Sequence, residues 1–249
     1  MDMKNKTVMI TGASRGFGEA CAYVFADAGA NVALLARSQD DIGRIAGEIG
    51  ARAIAIPCNV ARFSEMSSAV ETTVQAFGGL DMLINTAGVI DPIAHLASSD
   101  PDAWGQVIDV NVKGVYNGAR AALPVMKERG GGSILTISSG AAHNAIEAWS
   151  HYCTSKAAVN MLNRCIDKEE AEHGIRAIGL APGTGATEMQ REIKASGINP
   201  VSKLAWEDHI PADWPARCLL WMCGTAADRF KGDEISLRDE EIRRAVGLI

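Results

Sequence analysis

Short apolar runs recurring between longer amphipathic stretches constrain this chain more than any other feature. The runs fall at Thr7–Ile10, Asn31–Leu35, Arg52–Ile56, Met82–Asn85, Ser133–Ile137 and Arg176–Leu180, with Gly232–Leu237 a candidate final edge strand. Helical periodicity occupies Gly18–Ala28, Gln39–Ile49, Phe63–Phe77, Trp104–Lys127 and Tyr152–His173. A strand that is apolar on both faces must be covered on both faces. Strands of this kind alternating with helices therefore predict a parallel sheet between two helical layers. Right-handed crossovers make such a sheet doubly wound. No repeat, low-complexity tract or break in composition interrupts the alternation, so residues 1–249 are expected to form a single domain. Past Leu180, prolines and glycines from Pro182 to Pro215 punctuate a stretch with little periodicity. A loop-rich lid is expected near residues 187–212, ahead of a late helix near Pro215–Cys223.

Composition narrows the function classes. Apolar residues make up 47% and charged residues 22%, enough to fill a core and unlike a disordered chain. The net charge of −6 argues against nucleic-acid binding, although a local basic pocket for one phosphate stays open. Cys21, Cys58, Cys153, Cys165, Cys218 and Cys223 form no CxxC pair and no zinc-like spacing. No metal site is expected, and buried thiols in a reducing compartment are. The N-terminus MDMKNKTVMITG runs directly into a strand pattern, without the apolar stretch and cleavage site of a signal peptide. No uncharged run is long enough to span a bilayer, so no membrane partner and a cytoplasmic location are expected.

The first strand pattern ends in Thr11-Gly12-Ala13-Ser14-Arg15-Gly16-Phe17-Gly18 and enters a helix. Glycines here let the chain turn tightly and bring backbone N–H groups close to a pyrophosphate at the helix N-terminus, as in a Rossmann-type α/β fold. The spacing G-x-x-x-G-x-G differs from the commoner G-x-G-x-x-G, and a ligand-free turn would look alike. No G-K-[ST] ending follows, which disfavours a nucleoside-triphosphatase loop. The second strand runs into Ala36-Arg37-Ser38, without the carboxylate that would bond a ribose 2′-hydroxyl. Arg37 and Arg15 instead offer two guanidiniums whose donor forks suit a 2′-phosphate. Two solvated surface arginines are the alternative. NADP(H) is favoured over NAD(H).

Four residues separate Tyr152 from Lys156, which puts them on one helix face, one turn apart. A free tyrosine, with a pKa of about 10, is a poor base at neutral pH. A neighbouring ammonium stabilises the phenolate, each unit of lowering being worth about 1.36 kcal/mol. Tyr152 could then exchange a proton with an alcohol or ketone oxygen. Ser139, at the end of the fifth strand pattern, could hydrogen-bond the same oxygen. Alone, a Tyr-x-x-x-Lys pair is a weak signal, because such pairs arise by chance on many helix surfaces.

Read jointly, Thr11–Gly18, Asn85-Thr86-Ala87-Gly88, Asn111-Val112-Lys113-Gly114, Ser139, Tyr152 with Lys156, and Pro182-Gly183 resemble, in order and spacing, the classical short-chain dehydrogenases/reductases over roughly residues 5–190. The resemblance implies an oxidoreductase interconverting a ketone and a secondary alcohol, with Asn111, Ser139, Tyr152 and Lys156 catalytic. In that family the matching asparagine supports a water linking the lysine to a proton relay, and the lysine also holds the nicotinamide ribose. Cofactor contacts are implied at Gly12, Ser14, Arg15, Gly16, Phe17 and Gly18, and at Arg37. Further ones are implied at Asn59, Val60, Asn85, Ala87 and Gly88, at Tyr152 and Lys156 themselves, and at Pro182, Gly183 and Thr187.

Departures from the pattern are local. Thr86 replaces the family's second asparagine. Asn59 stands where an aspartate usually accepts a bond from the adenine amino group, and it keeps one acceptor oxygen. An Asp-Gly-Gly-like turn after the last strand is replaced by Gly232-Asp233-Glu234-Ile235-Ser236-Leu237-Arg238 and an Arg-rich tail. By resemblance the long helices pair subunits into a homodimer or homotetramer. A small keto substrate such as a 3-oxoacyl compound is the nearest expectation. Its pocket candidates are Ile90, His95, Gly140, Ala141, His143, Ala145, Glu147, Trp149 and the lid around Glu188–Trp206. Two other readings are a non-catalytic NADP(H)-binding redox sensor and a nucleotide-sugar lyase or epimerase, for which the chain has little room.

Overall fold

A computed structural model describes the whole chain, Met1–Ile249. Seven parallel strands form one sheet: β1 (Thr7–Thr11), β2 (Asn31–Ala36), β3 (Ala53–Pro57), β4 (Met82–Asn85), β5 (Gly132–Ile137), β6 (Ile175–Ala181) and β7 (Glu234–Ser236). Their spatial order is β3-β2-β1-β4-β5-β6-β7. The chain winds outward through β2 and β3, then returns to place β4 on the other side of β1. That reversal opens a crevice at the carboxyl ends of β1 and β4, where ligands of doubly wound sheets bind.

Strand alternation explains both helical layers. Val8 and Ile10 of β1 join one core with Val32, Leu34, Ile178 and Leu180, whereas Met9 points to the other with Ala33, Leu35, Leu83 and Ile134. The first face is covered by α1 (Gly16–Asp27), α2 (Gln39–Ile49) and α8 (Asp213–Met222) through Phe25, Ile42 and Leu219. α3 (Phe63–Phe77), α5 (Gly114–Glu128) and α6 (Ser150–Glu170) cover the second with Met66, Ala122 and Ile166.

Two segments differ from the sequence expectation, the helix before the fifth strand and the stretch after the sixth. The helix expected over Trp104–Lys127 is two helices, α4 (Pro101–Ile108) and α5, joined by a π-helical turn at Asp109–Lys113. α4 starts earlier than Trp104 because the Asp100 side chain accepts the Ala103 N–H at 2.8 Å and Pro101 follows it, an N-cap with proline at the first helical position. The stretch after β6 contains a regular helix, α7 (Glu188–Ser196), between shorter turns. The C-terminal tail folds as α9 (Glu240–Val246), capped by Asp239. No helix is long and apolar enough to cross a membrane.

Candidate active site

A cavity of about 650 Å³ opens at the carboxyl end of the sheet. Its floor is the turn from β1 into α1. Gly12 adopts φ +66°, and a Cβ there would lie 2.7 Å from the Ala87 Cα. At Gly18 a Cβ would meet the Gly12 carbonyl oxygen at 2.2 Å, so only glycine lets these segments close on each other. Thr86 donates its hydroxyl to the Thr11 carbonyl and ties β4 to the same turn. The Phe17 ring packs against Gly185, where a Cβ would be 2.3 Å from the ring. Gly12, Ser14, Arg15, Gly16, Phe17 and Gly18 all line the cavity, as do Ala87, Gly88, Pro182, Gly183 and Thr187.

At the end of β2, Arg37 is exposed, lines the cavity and makes no ion pair or side-chain hydrogen bond within the chain. Arg15 is exposed too, with one long contact, 4.0 Å to Glu192 of α7. Asn59 and Val60 line the same end. The Asn59 Oδ1 already accepts the Ala61 N–H at 3.1 Å, which leaves one lone pair and the amide free.

Two residues from the sequence reading are elsewhere. Asn85 is buried off the cavity: its Nδ2 donates to Thr136 Oγ1 at 3.3 Å, cross-linking β4 to β5. It ends its strand facing inward, so its neighbours Thr86 and Ala87 reach the cavity in its place. Asn111, in the π-turn, also stands behind the wall. Its Oδ1 accepts the Val89 N–H, and its Nδ2 donates to the Val89 carbonyl at 2.9 Å and to Ser155 Oγ at 3.0 Å. It staples the loop after β4 to α6, beside a π-turn of the kind often found near functional sites.

Ser139, Tyr152 and Lys156 meet at the cavity's inner end. Ser139 follows β5 in an extended conformation, and its hydroxyl accepts the Ala141 N–H at 3.1 Å. Tyr152 and Lys156 descend one face of α6, with the Lys156 Nζ 5.6 Å from the tyrosine ring centre. Trp149 buttresses that ring edge-on at 5.5 Å. Burial pushes the Tyr152 hydroxyl up to about 12 while the Ser139 hydroxyl pulls against it. Burial also lowers Lys156 to about 8. The ammonium therefore does not pull Tyr152 below its free value, as the sequence had suggested, because desolvation of the phenolate is the larger effect. At neutral pH the site holds a protonated tyrosine beside a charged lysine, an acid ready to donate to an oxygen.

The donor set fits a nucleotide cofactor. Lys156 is buried and gives only one of its three N–H donors to the protein, to the Ile137 carbonyl at 2.8 Å, and so has donors to spare for ribose hydroxyls. No group of three or more His, Cys, Asp or Glu side chains could hold a metal.

Above the triad the walls turn apolar: Ile90, Ala141, Trp149 and Ile193 form a small core with Ile146, Met189 and Val201. Gly140 and His143 also line the cavity, whereas His95, Ala145 and Glu147 do not. His95 and Glu147 pair with each other at 2.8 Å on the exposed side. Sequence reading missed the wall formed by β7 and its exit, where Glu234, Ser236 and Arg238 face the cavity while Ile235 and Leu237 are buried. That period-2 alternation is the signal that could have found it.

Residues 6–197 match the family model of the short chain dehydrogenases. The chain belongs to the classical short-chain dehydrogenase/reductase family. Among its relatives, an uncharacterized oxidoreductase of Staphylococcus saprophyticus is 34% identical over 221 residues, covering 88% of this chain and 89% of that protein. Two solved short-chain dehydrogenase/reductase-like structures align over nearly the whole chain. The 3-ketoacyl-(acyl-carrier-protein) reductase from Brucella melitensis complexed with NADH has a TM-score of 0.85 at 27% identity, covering 95% of this chain and 98% of that one. A 7α-hydroxysteroid dehydrogenase complexed with NADH and 7-oxo glycochenodeoxycholic acid has a TM-score of 0.83 at 28% identity, covering 95% and 94%. This short-chain dehydrogenase/reductase is thus an oxidoreductase of the type that acts on CH–OH and C=O groups.

Proposed function

We propose that the chain interconverts a ketone and a secondary alcohol, with NADP(H) preferred over NAD(H). The observation that carries the reading is the meeting of Ser139, Tyr152 and Lys156 at the apolar end of the cavity. Tyr152 donates its proton to the ketone oxygen during reduction and takes it back during oxidation. Ser139 hydrogen-bonds the same oxygen and fixes its position. Lys156 would hold the nicotinamide ribose and supplies positive charge beside the phenol, and Asn111 positions α6 against the loop after β4. The nicotinamide supplies or accepts the hydride when bound.

Gly12, Ser14, Gly16, Phe17 and Gly18 would hold the pyrophosphate, and Asn59, Val60, Ala87 and Gly88 the adenosine side. Pro182, Gly183 and Thr187 would flank the nicotinamide. The unpaired Arg37, with Arg15, supports NADP(H), since a fork-shaped donor without a protein partner suits a 2′-phosphate. The apolar walls suit a carbonyl compound with a hydrophobic body, of the 3-oxoacyl or another small keto class. Residues 187–212, including α7, act as the lid of a single domain. A cytoplasmic homodimer or homotetramer is the expected form.

A panel of ketones and alcohols tests this, read by nicotinamide absorbance with NADPH and NADH. Tyr152→Phe is expected to abolish turnover with NADPH binding nearly intact, and unchanged turnover removes the proposal. Arg37→Asp is expected to shift preference to NADH; an unaltered preference shows that Arg37 does not read the phosphate.

A further inference from the structure

Glu188 of α7 and Glu234 of β7 are the two carboxylates that line the cavity, and Glu234 is the better held. Its side chain is 10% exposed, with Oε1 3.2 Å from His143 Nε2. Its Oε2 accepts the Asn160 amide at 3.2 Å. Both partners belong to elements that carry the site. Asn160 follows Lys156 by one turn, so Tyr152, Lys156 and Asn160 descend one face of α6. His143 closes the turn that Ser139 begins.

A carboxylate with both oxygens tied and little water around it is poorly screened, and Lys156 is the buried cation that lines the same cavity, one helical turn from the Asn160 that holds Glu234. Two further carboxylates stand nearby, Asp233 and Glu188, and Glu234 is the one whose charge bears on Lys156. On α6, Tyr152 is held protonated. On the β5–α6 turn stands His143. Before β7, Asp233 spends its Oδ1 on the Glu234 N–H at 2.8 Å. Arg238 is two pleats further along and Glu188 is across the cavity on the lid. Burial drives Lys156 toward its neutral form, and the Glu234 charge opposes that drift.

We propose that Glu234 is a positioning residue of this active site, a carboxylate pinned between α6 and the Ser139 turn that keeps the Lys156 ammonium charged. This inference rests on the assignment of Lys156 to the catalytic site, and it gives a role to the segment that departs from the family's Asp-Gly-Gly-like turn. No proton is transferred to Glu234; it acts through its field.

The test uses full-length, cofactor-free protein with carbon-labelled lysine ε-methylene groups, followed by NMR as the pH is raised. The Lys156 resonance is the one missing from Lys156→Met. In Glu234→Gln, which keeps shape and loses charge, its midpoint is expected to fall by about one pH unit. In Asn160→Ala, which frees one carboxylate oxygen, a smaller fall is expected. A wild-type midpoint in Glu234→Gln overturns the proposal, and if that variant does not fold, a wild-type midpoint in Asn160→Ala does so. The NMR midpoint needs neither substrate nor cofactor, so its failure is distinct from failure to reduce ketones. With a ketone that is turned over, the alkaline fall of kcat in Glu234→Gln should move to lower pH with the NMR midpoint.

Discussion

Lys156→Met should make the cofactor-free protein more stable while abolishing turnover. Lys156 is buried, and its pKa falls from 10.5 to about 8 mainly because burial disfavours the ammonium. At about 1.36 kcal/mol per pH unit, the charged side chain costs the fold about 3 kcal/mol. Methionine has a similar length and no charge to desolvate. It forfeits the hydrogen bond to the Ile137 carbonyl, a loss of about 1 kcal/mol. The net gain of about 2 kcal/mol corresponds to a rise in Tm of roughly 4 to 8 °C for a chain of this size.

The pH dependence fixes the cause. Because the folded pKa is the lower one, the unfolded chain binds more protons between the two values, and wild-type stability rises with pH across that window. The cost is present in full below about 8 and gone above 10.5. The advantage of Lys156→Met should therefore be constant from pH 6 to 8 and shrink toward pH 10. Thermal unfolding at one fixed protein concentration, repeated across that range, measures it. A variant less stable than wild type at neutral pH, or an advantage that ignores pH, refutes the argument.

Other expectations follow from single contacts. Gly12→Ala forces a side chain into a positive φ and against Ala87; it should cost about 1–3 kcal/mol of stability, measured by thermal unfolding, and sharply weaken NADPH binding by fluorescence titration. Ser139→Ala should lower kcat roughly a hundredfold to a thousandfold with little change in NADPH affinity; a fall in affinity alone would mean its role is misassigned. Glu192 shares Arg15 across 4.0 Å and is a carboxyl whose pKa burial and Asp91 raise. Glu192→Gln should release Arg15 and tighten NADPH by roughly two- to fivefold, the scale of one exposed ion pair. An equal change for NADH would show that Arg15 does not face the 2′-phosphate.

The sheet was legible because its strands carry apolar residues on both faces: Val8 and Ile10 serve one core and Met9 the other, leaving no polar face to blur the pattern. Tyr152 and Lys156 were legible because a helix fixes residues one turn apart on one face. Asn85 was misplaced for a geometric reason, since consecutive residues at a strand end point opposite ways and the motif does not say which one faces the cavity. The break at Asp109–Lys113 was hidden because a single π-turn leaves the apolar pattern on either side nearly continuous. Gly232–Leu237 was legible as an edge strand, but β7 has three residues, too few for alternation to mark Glu234 and Ser236 as its cavity face.

Tyr152 and Lys156 show why residue identity was readable and behaviour was not. The same apolar enclosure moves the tyrosine up to about 12 and the lysine down to about 8, because each shift favours the neutral form. The i,i+4 spacing suggested attraction between phenolate and ammonium, a pairwise effect that sequence can suggest. Desolvation depends on Trp149, Ile90 and Ile193 arriving from three separate segments, which sequence cannot add up. Burial leaves the free protein biased toward a neutral acid beside a costly cation. Positive charge near the phenol favours its ionised form, so whatever keeps Lys156 charged also eases the return of the proton in the oxidative direction. On this reasoning Glu234 is the counterweight to burial, placed on the one strand whose cavity face is polar.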